Sequence, residues 1–383
     1  MASRKTGQLI EREKGVWTVR IYLGEDASGK RLYHNETTKG AKKDAQKRLT
    51  KVLREKDSGV YVQSSAMTLN DFLDKWLAES ASLKIRERTL NGYESLLNCH
   101  VREKLGAKRL SDIQLLEVQK LYNEMNKANY SPKTIRHVHN VLSSALKQAV
   151  KWKMLMQNPC DFCDLPRQVR SEMKCFTPDE AKLFLQAAKN EKFYALFYLA
   201  IETGMRPEEY LGLKWLDIDF EQKSLSVQRA LVERKGGGFI FDELKTSRSR
   251  RSIPLSNSLI NVLKTHRRIQ LEERMKLGAS YQNHDVVFAS EVGTPMMHRN
   301  LLRRHFKPLL VKANLPDIRL YDLRHTTATL LLSAGQNPKV ISERLGHASI
   351  VLTLDTYSHV LPTMQRDATN EMEAIFLRKT GTK

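Results

Sequence analysis

Trp17, Val19, Ile21 and Leu23 alternate with Thr18, Arg20 and Tyr22, the two-residue period of a strand with one apolar face. A polar turn, GEDASGK (24–30), leads to a second strand-like run, RLYHNETT (31–38), and AKKDAQKRLTKVLREKD (41–57) then reads as a charged amphipathic helix. Past residue 66 the period lengthens. In TLNDFLDKWLAES (68–80), Leu69, Phe72, Leu73, Trp76 and Leu77 recur at i, i+3, i+4, i+7 and i+8, one stripe of a helix. SPKTIRHVHNVLSSALKQAV (131–150) opens with Ser131 as a plausible N-cap and Pro132 at the first helical position. Its Ile135, Val138, Leu142, Ala145 and Leu146 form the inward side, and several such helices over 66–163 make a compact bundle. His137 and His139 fall on different faces of this helix, which suits surface and packing roles rather than shared ligation.

The stretch DLPRQVRSEMKCF (164–176) is polar, basic and broken by Pro166, as an exposed linker would be. TPDE (177–180) is a capping box, Thr177 to Glu180, and opens a third block that runs to residue 383. That block is mixed: helix over 181–204, strands around 215–219, 224–230, 239–245 and 251–255, then helices to the end. It shows neither an internal repeat nor a low-complexity tract. The expected fold is multidomain α+β. A small N-terminal β-sheet plus helix (1–62) and a helical bundle (66–163) precede the linker (164–176), and a mixed, mainly helical domain with a small antiparallel sheet fills 177–383.

Charge narrows the partner. The 383-residue chain carries 64 Lys and Arg against 43 Asp and Glu, a net +21, which calls for a polyanion: nucleic acid or an acidic membrane surface. No apolar run approaches the ~18–20 residues of a membrane span, and the first fifteen residues contain no apolar core of a secretion signal. Nucleic acid is therefore the better partner. Residues 1–60 hold 15 basic and 8 acidic side chains. A small sheet this basic, with Arg20, Lys30 and Arg31, suits a DNA groove as well as a merely solvated face. Four cysteines (Cys99, Cys160, Cys163, Cys175) are too few and scattered for a disulfide framework. Cys160 and Cys163 have zinc-type spacing but lack a second ligand pair. Neither a metal nor a cofactor is implied.

Four segments of the third block could carry chemistry. In ETGMRPEEYLGLKW (202–215), Gly204 ends one helix and Pro207 lies in the first turn of the next. Arg206 is thereby held beside free helix N–H groups, placed either to grip a phosphate or to form a helix-start ion pair with Glu209. LKTSRSRRSIPL (244–255) is a basic turn between strands. Lys245 there could protonate a leaving oxygen, while Arg248, Arg250 and Arg251 read as DNA contacts. In YDLRHTTATLLLSAG (321–335), Arg324 starts a helix whose Leu331 and Leu332 continue into an apolar face. In ERLGHASIVLTLDTYSH (343–359), Gly346 stops one helix and Ser349 can cap the next. That break lets His347 and Tyr357 point into one place, which a single unbroken helix would forbid.

Taken together and in this order, TGMRPEE…LGL, LKT, LRHT and LGH…DTYSH resemble the tyrosine recombinase (phage integrase) family. The resemblance implies that Arg206 and Arg324 clamp a phosphate, Lys245 is the hairpin lysine, His347 belongs to the LGH motif, and Tyr357 is the nucleophile. It also sets Glu209 behind Arg206 as a buttress. Tyr321 stands where the family usually has histidine, so a hydroxyl replaces an imidazole at that position. More loosely, the first block is similar to the arm-binding domain of integrases from temperate phages and conjugative transposons, and the second to the family's core-binding bundle.

The implied reaction cuts and rejoins DNA through a 3′-phosphotyrosine, integrating or excising a mobile element. Its implied partners are double-stranded DNA with core and arm-type sites, other copies of the chain in a homo-tetramer, and excision or host DNA-bending factors, with no membrane. Its implied location is the cytoplasm of a bacterial host, at the nucleoid. The tail after the motif, with its amphipathic ATNEMEAIFL (368–377), is by resemblance a helix passed between subunits. A type IB topoisomerase-like enzyme would share the chemistry without partner exchange, but it does not explain the separate basic N-terminal block. A DNA-binding regulator would need none of the five motif residues together. For a metal-dependent nuclease, the nearby acidic residues form no ligand cluster.

Overall fold

A computed structural model describes residues 7–25, 29, 31–57, 67–168, 173–234, 236–244, 250–347, 349–357, 369–370, 372–373 and 376–377. The chain divides into two compact units, residues 1–170 and 171–383.

The first unit begins with a three-stranded antiparallel sheet in the order β1 (Gln8–Glu13), β2 (Val16–Glu25), β3 (Arg31–Lys39). Val19 and Ile21 of β2 are buried against Leu49 and Val52 of α1 (Lys42–Asp57), a small core of the sheet's own. Strand β1 is absent from the sequence expectation because Leu9 and Ile10 are adjacent and break the two-residue alternation. The bundle that follows contains α2 (Leu69–Trp76), α3 (Glu87–Leu97), α4 (Leu115–Lys127) and α5 (Pro132–Lys151). Thr68 caps α2 in a reciprocal box with Asp71, and Ser131 caps α5, its hydroxyl accepting from Thr134 N–H at 3.1 Å. The apolar stripes of α2 and α5 meet in one core that also takes Cys160. His139 packs edge-on against Tyr122, and His137 is exposed.

The segment expected as an exposed linker is tied down at both ends. The Asp164 backbone exchanges two hydrogen bonds with the Gln119 side-chain amide, and Pro166 O accepts from Arg136 at 3.0 Å. At the far end, Phe176 is fully buried and its N–H donates to Thr326 Oγ1. The described residues between these anchors are exposed or half-buried.

In the second unit the single helix expected over 181–204 is two, α6 (Pro178–Ala188) and α7 (Tyr194–Thr203), parted by the polar KNEK turn. Helix α7, apolar on nearly every side, is the central one, with Leu196, Phe197, Leu199 and Ala200 buried. Helix α8 (Pro207–Leu211) follows after three further residues. The expected strand at 215–219 is a 3₁₀ turn over Trp215–Asp217 that leads into the two-residue β4 (Ile218–Asp219). The turn wins because buried Asp217 takes the Lys214 N–H and pairs with Arg229.

The run 224–230 likewise splits, at Gln228, into β5 (Ser224–Val227) and β6 (Arg229–Glu233). Strand β6 pairs with β7 (Phe239–Glu243) as a separate ribbon, whereas β5 lies between β4 and β8 (Arg251–Pro254). Helices α9 (Asn257–Leu277), α10 (Lys307–Lys312), α11 (Asp322–Ser333), α12 (Pro338–Leu345) and α13 (Ile350–Tyr357) complete the unit. No helix among the described residues is long and apolar enough to cross a membrane, and no group of three or more His, Cys, Asp or Glu among them could hold a metal ion.

Candidate active site

The site starts where α7 stops. Gly204 ends α7 in the left-handed conformation (φ +65°), and Pro207 sets the first turn of α8, so Arg206 is the N-cap. Glu209, 2% exposed, closes the turn: it accepts from Arg206 N–H at 2.9 Å and from Arg206 Nη1 at 2.7 Å. Arg251, the first residue of β8, grips the same carboxylate through Nη2 at 2.9 Å and Nη1 at 3.3 Å. All of the roughly four acceptor positions of a carboxylate are thus filled. Burial alone would raise the Glu209 carboxyl, but the bonds and charge of Arg251, then of Arg206, hold it below its usual range. Burial also opposes the charge on Arg206, and the charge and hydrogen bond of Glu209, with a smaller contribution from nearby Tyr321, outweigh it.

Arg324 enters from the first turn of α11 and is 1% exposed. Its Nη1 donates to Gly204 O at 2.8 Å, and its Nη2 has no hydrogen-bond partner among the described residues. Burial, then the charge on Arg206, pushes the guanidinium down to about 10. A buried cation facing another cation, with a donor unfilled, is costly unless an anion arrives to meet it. The threonines of LRHTT anchor this helix: Thr327 Oγ1 donates to Ile201 O at 2.8 Å, and Thr326 receives Phe176. Tyr321 precedes α11, is 37% exposed, and lies edge-on to His325.

The third contribution is the LGH turn. Gly346 ends α12 at φ +66°, and its carbonyl accepts from Arg206 Nη2 at 3.3 Å. His347 Nδ1 lies 2.7 Å from the hydroxyl of fully buried Thr353 in α13, so the turn and the last helix are tied together. Burial, then Arg324 and Arg206, pushes His347 down to about 3, which leaves the imidazole neutral near neutral pH. Ser349 caps α13, its hydroxyl accepting Val351 N–H, and Tyr357 is the last residue of that helix. The Tyr357 side chain, Lys245, Arg248 and Lys30 lie outside what the structure describes.

Arg206, Glu209, Tyr321, Arg324 and His347 are therefore brought together from three chain segments. Arg251 corrects an expectation. Read as a DNA contact, it is 7% exposed and spends its guanidinium on Glu209, while its Nε donates to Arg344 O at 2.6 Å. The run of arginines around it hides this, because nothing in a basic hairpin marks which one turns inward. Arg250 is exposed and pairs with Glu243. In the first unit Arg20 lies over the Tyr33 ring at 4.1 Å, and Arg31 is exposed. The sequence reading missed Thr353 and Thr327, whose roles need the long-range partner to be known.

The phage integrase family description matches residues 174–364, and that of a phage integrase N-terminal SAM-like domain matches residues 68–126. A tyrosine recombinase XerC-like protein of Caldanaerobacter subterraneus subsp. tengcongensis is 33% identical, over 97% of this chain and all of its own length. The ICEBs1 integrase of Bacillus subtilis is 25% identical, over 94% of this chain and 98% of its own. Among solved structures, the Tn1549 transposon integrase in complex with transposon right end DNA superposes with a TM-score of 0.69 at 24% identity, covering 80% of this chain and all of that one. With the same segments meeting around two arginines and a histidine, the chain belongs to the phage integrase family, the tyrosine recombinases: it is an enzyme of site-specific DNA recombination that serves the integration of mobile elements.

Proposed function

We propose that Tyr357 attacks the scissile phosphodiester, and that Arg206, Arg324, His347 and Tyr321 hold the phosphate while it does so. The observation that carries this reading is the unfilled Nη2 of buried Arg324, set beside a second arginine and a neutral imidazole. A phosphate under attack gathers negative charge on its non-bridging oxygens, and fixed donors in a partly dry site stabilise that charge. Glu209 holds Arg206 in place. Tyr321 lies near enough to Arg206 to raise its pKa, and its hydroxyl donates to the same phosphate. Tyr321 thus replaces the family's histidine as a hydrogen-bond donor.

The Tyr357 hydroxyl gives its proton to neutral His347 or to water as its oxygen bonds to phosphorus and displaces the 5′ oxygen, which Lys245 protonates. The product is a 3′-phosphotyrosine and a free 5′-hydroxyl. Because the covalent link keeps the bond energy, another 5′-hydroxyl can attack it and join strands without a nucleotide cofactor. Exchange between two duplexes needs two cut positions in each, hence a homo-tetramer. The substrate is double-stranded DNA at core sites, with arm-type sites bound by the basic sheet of residues 1–62 through Arg20, Lys30 and Arg31. Excision factors or host DNA-bending proteins would complete the complex on the bacterial nucleoid in the cytoplasm.

A nicked suicide duplex carrying the element's own crossover site tests the reading. Wild-type chain is expected to form a covalent protein–DNA adduct. Tyr357→Phe, which loses only a hydroxyl, is expected to bind the duplex with near-normal affinity and form none. An adduct at wild-type yield from the Phe variant would remove Tyr357 as nucleophile.

A further inference from the structure

We infer that Arg251 is a positioning residue for the strand-cleavage reaction: it neutralises Glu209 so that the charge of Arg206 stays available to the phosphate. The inference rests on the reading of Arg206 as a phosphate clamp and goes beyond it.

Three observations carry it. Glu209 is 2% exposed, so its charge is met by protein, not by water. Two arginines share it symmetrically, each giving one bond to Oε1 and one to Oε2. The Arg206 contribution to Oε2 is a backbone N–H, so Arg251 supplies the only second guanidinium bonded to this carboxylate among the described residues. With both in place the cluster has a net positive charge before the phosphate arrives. Without Arg251, one carboxylate faces one guanidinium, and Arg206 becomes half of a closed ion pair with little charge left for a ligand.

Geometry adds a second consequence. Arg251 Nε donates to Arg344 O, and Arg206 Nη2 donates to Gly346 O, so both guanidiniums also hold the turn that presents His347. A Cβ on Gly346 would come within 3.0 Å of Arg251 Nη1, which shows how closely the two pack. Arg251 therefore connects β8, the start of α8 and the end of α12. A lysine offers charge without the planar fork and cannot make these contacts together.

The test is single-turnover cleavage of the suicide duplex by the full chain, with thermal unfolding followed in parallel. Arg251→Met is expected to slow cleavage by about 10²-fold, the scale of a small displacement of a clamping group. The informative variant is Arg251→Met combined with Glu209→Gln. Removing the uncompensated carboxylate charge is expected to make the pair about tenfold faster than Arg251→Met alone, within the usual range for coupled contacting sites. A structural role alone predicts the opposite, since the pair loses more bonds than either single variant. Arg251→Met at the wild-type rate, or a pair as slow as or slower than Arg251→Met, overturns the proposal.

Should Arg251→Met lose its unfolding transition, Arg251→Gln, which keeps hydrogen-bond donors but removes the charge, carries the test. It is expected about 10²-fold slow, and a wild-type rate overturns the inference. Arg206→Ala, run alongside, separates the two levels. Full activity there means the phosphate-clamp reading has failed, whereas an inactive Arg206→Ala with a fully active Arg251→Met means that only the role of Arg251 has failed.

Discussion

Replacing Gly204 by alanine should damage the second unit well beyond the conformational cost of a left-handed residue. Gly204 sits at φ +65°, and a Cβ there would lie 2.5 Å from Leu345 Cδ2 and 3.2 Å from Thr327 Cγ2. A left-handed L-residue costs about 1–2 kcal/mol, and forcing a methyl into a packed core adds about 1–3 kcal/mol. Leu345 has no room to yield, being fully buried among Ala328, Leu332 and Ile341. The sum, roughly 2–5 kcal/mol, converts at about 2–4 °C per kcal/mol for a unit of this size into a fall in Tm of roughly 4–20 °C. Gly335 is the control: it has a similar φ of +73°, with nothing within 4 Å of a Cβ. Calorimetry of the full chain should therefore show Gly335→Ala losing only the conformational part. Equal Tm values for the two variants would refute the steric reasoning. Cleavage should fall as well in Gly204→Ala, because the Gly204 carbonyl is the acceptor that aims Arg324.

Two further outcomes follow from the site. Tyr321→Phe should slow single-turnover cleavage by roughly 10²–10³-fold, as loss of one transition-state donor does, while Tyr321→His should keep or raise it. A silent Phe variant would make Tyr321 a plain aromatic. His347 has its pKa depressed to about 3 in the folded chain, so between its ordinary value near 6.5 and that figure the unfolded chain binds the extra proton. Its contribution to stability is then complete above pH 6.5 and lost as the pH falls toward 3. In NMR of the free protein, the His347 ring signals should stay flat from pH 5 to 8, and a midpoint between 6 and 7 would contradict the burial beside two arginines.

Much of this was legible in the chain because local chemistry forces it. Gly204, Pro207 and Gly346 dictate their turns whatever surrounds them, and the caps at Ser131 and Thr177 act within three residues of themselves. The motifs that carry the family resemblance likewise pointed to Arg206, Arg324 and His347, which the fold brings together. What stayed hidden depends on partners far away in sequence. Arg251 looks like its exposed neighbour Arg250 until Glu209, 42 residues earlier, is folded against it. Strands β5 and β6 read as one run because only the pairing of each reveals two sheets, and Trp215–Asp217 looked extended until Arg229 met Asp217.

The distances along the chain have a consequence for synthesis. Arg206 donates to a carbonyl 140 residues later, and Arg324 to one 120 residues earlier. A ribosome adding about 5–20 residues per second needs roughly 7–28 s to make the first of these spans. Throughout that interval Arg206 and Glu209 exist, but the segments that complete their surroundings do not. A nascent or prematurely ended chain thus has its first unit complete while the segments that join Arg206, Arg324 and His347 are still to come. The order of parts makes this site one of the last things the chain finishes.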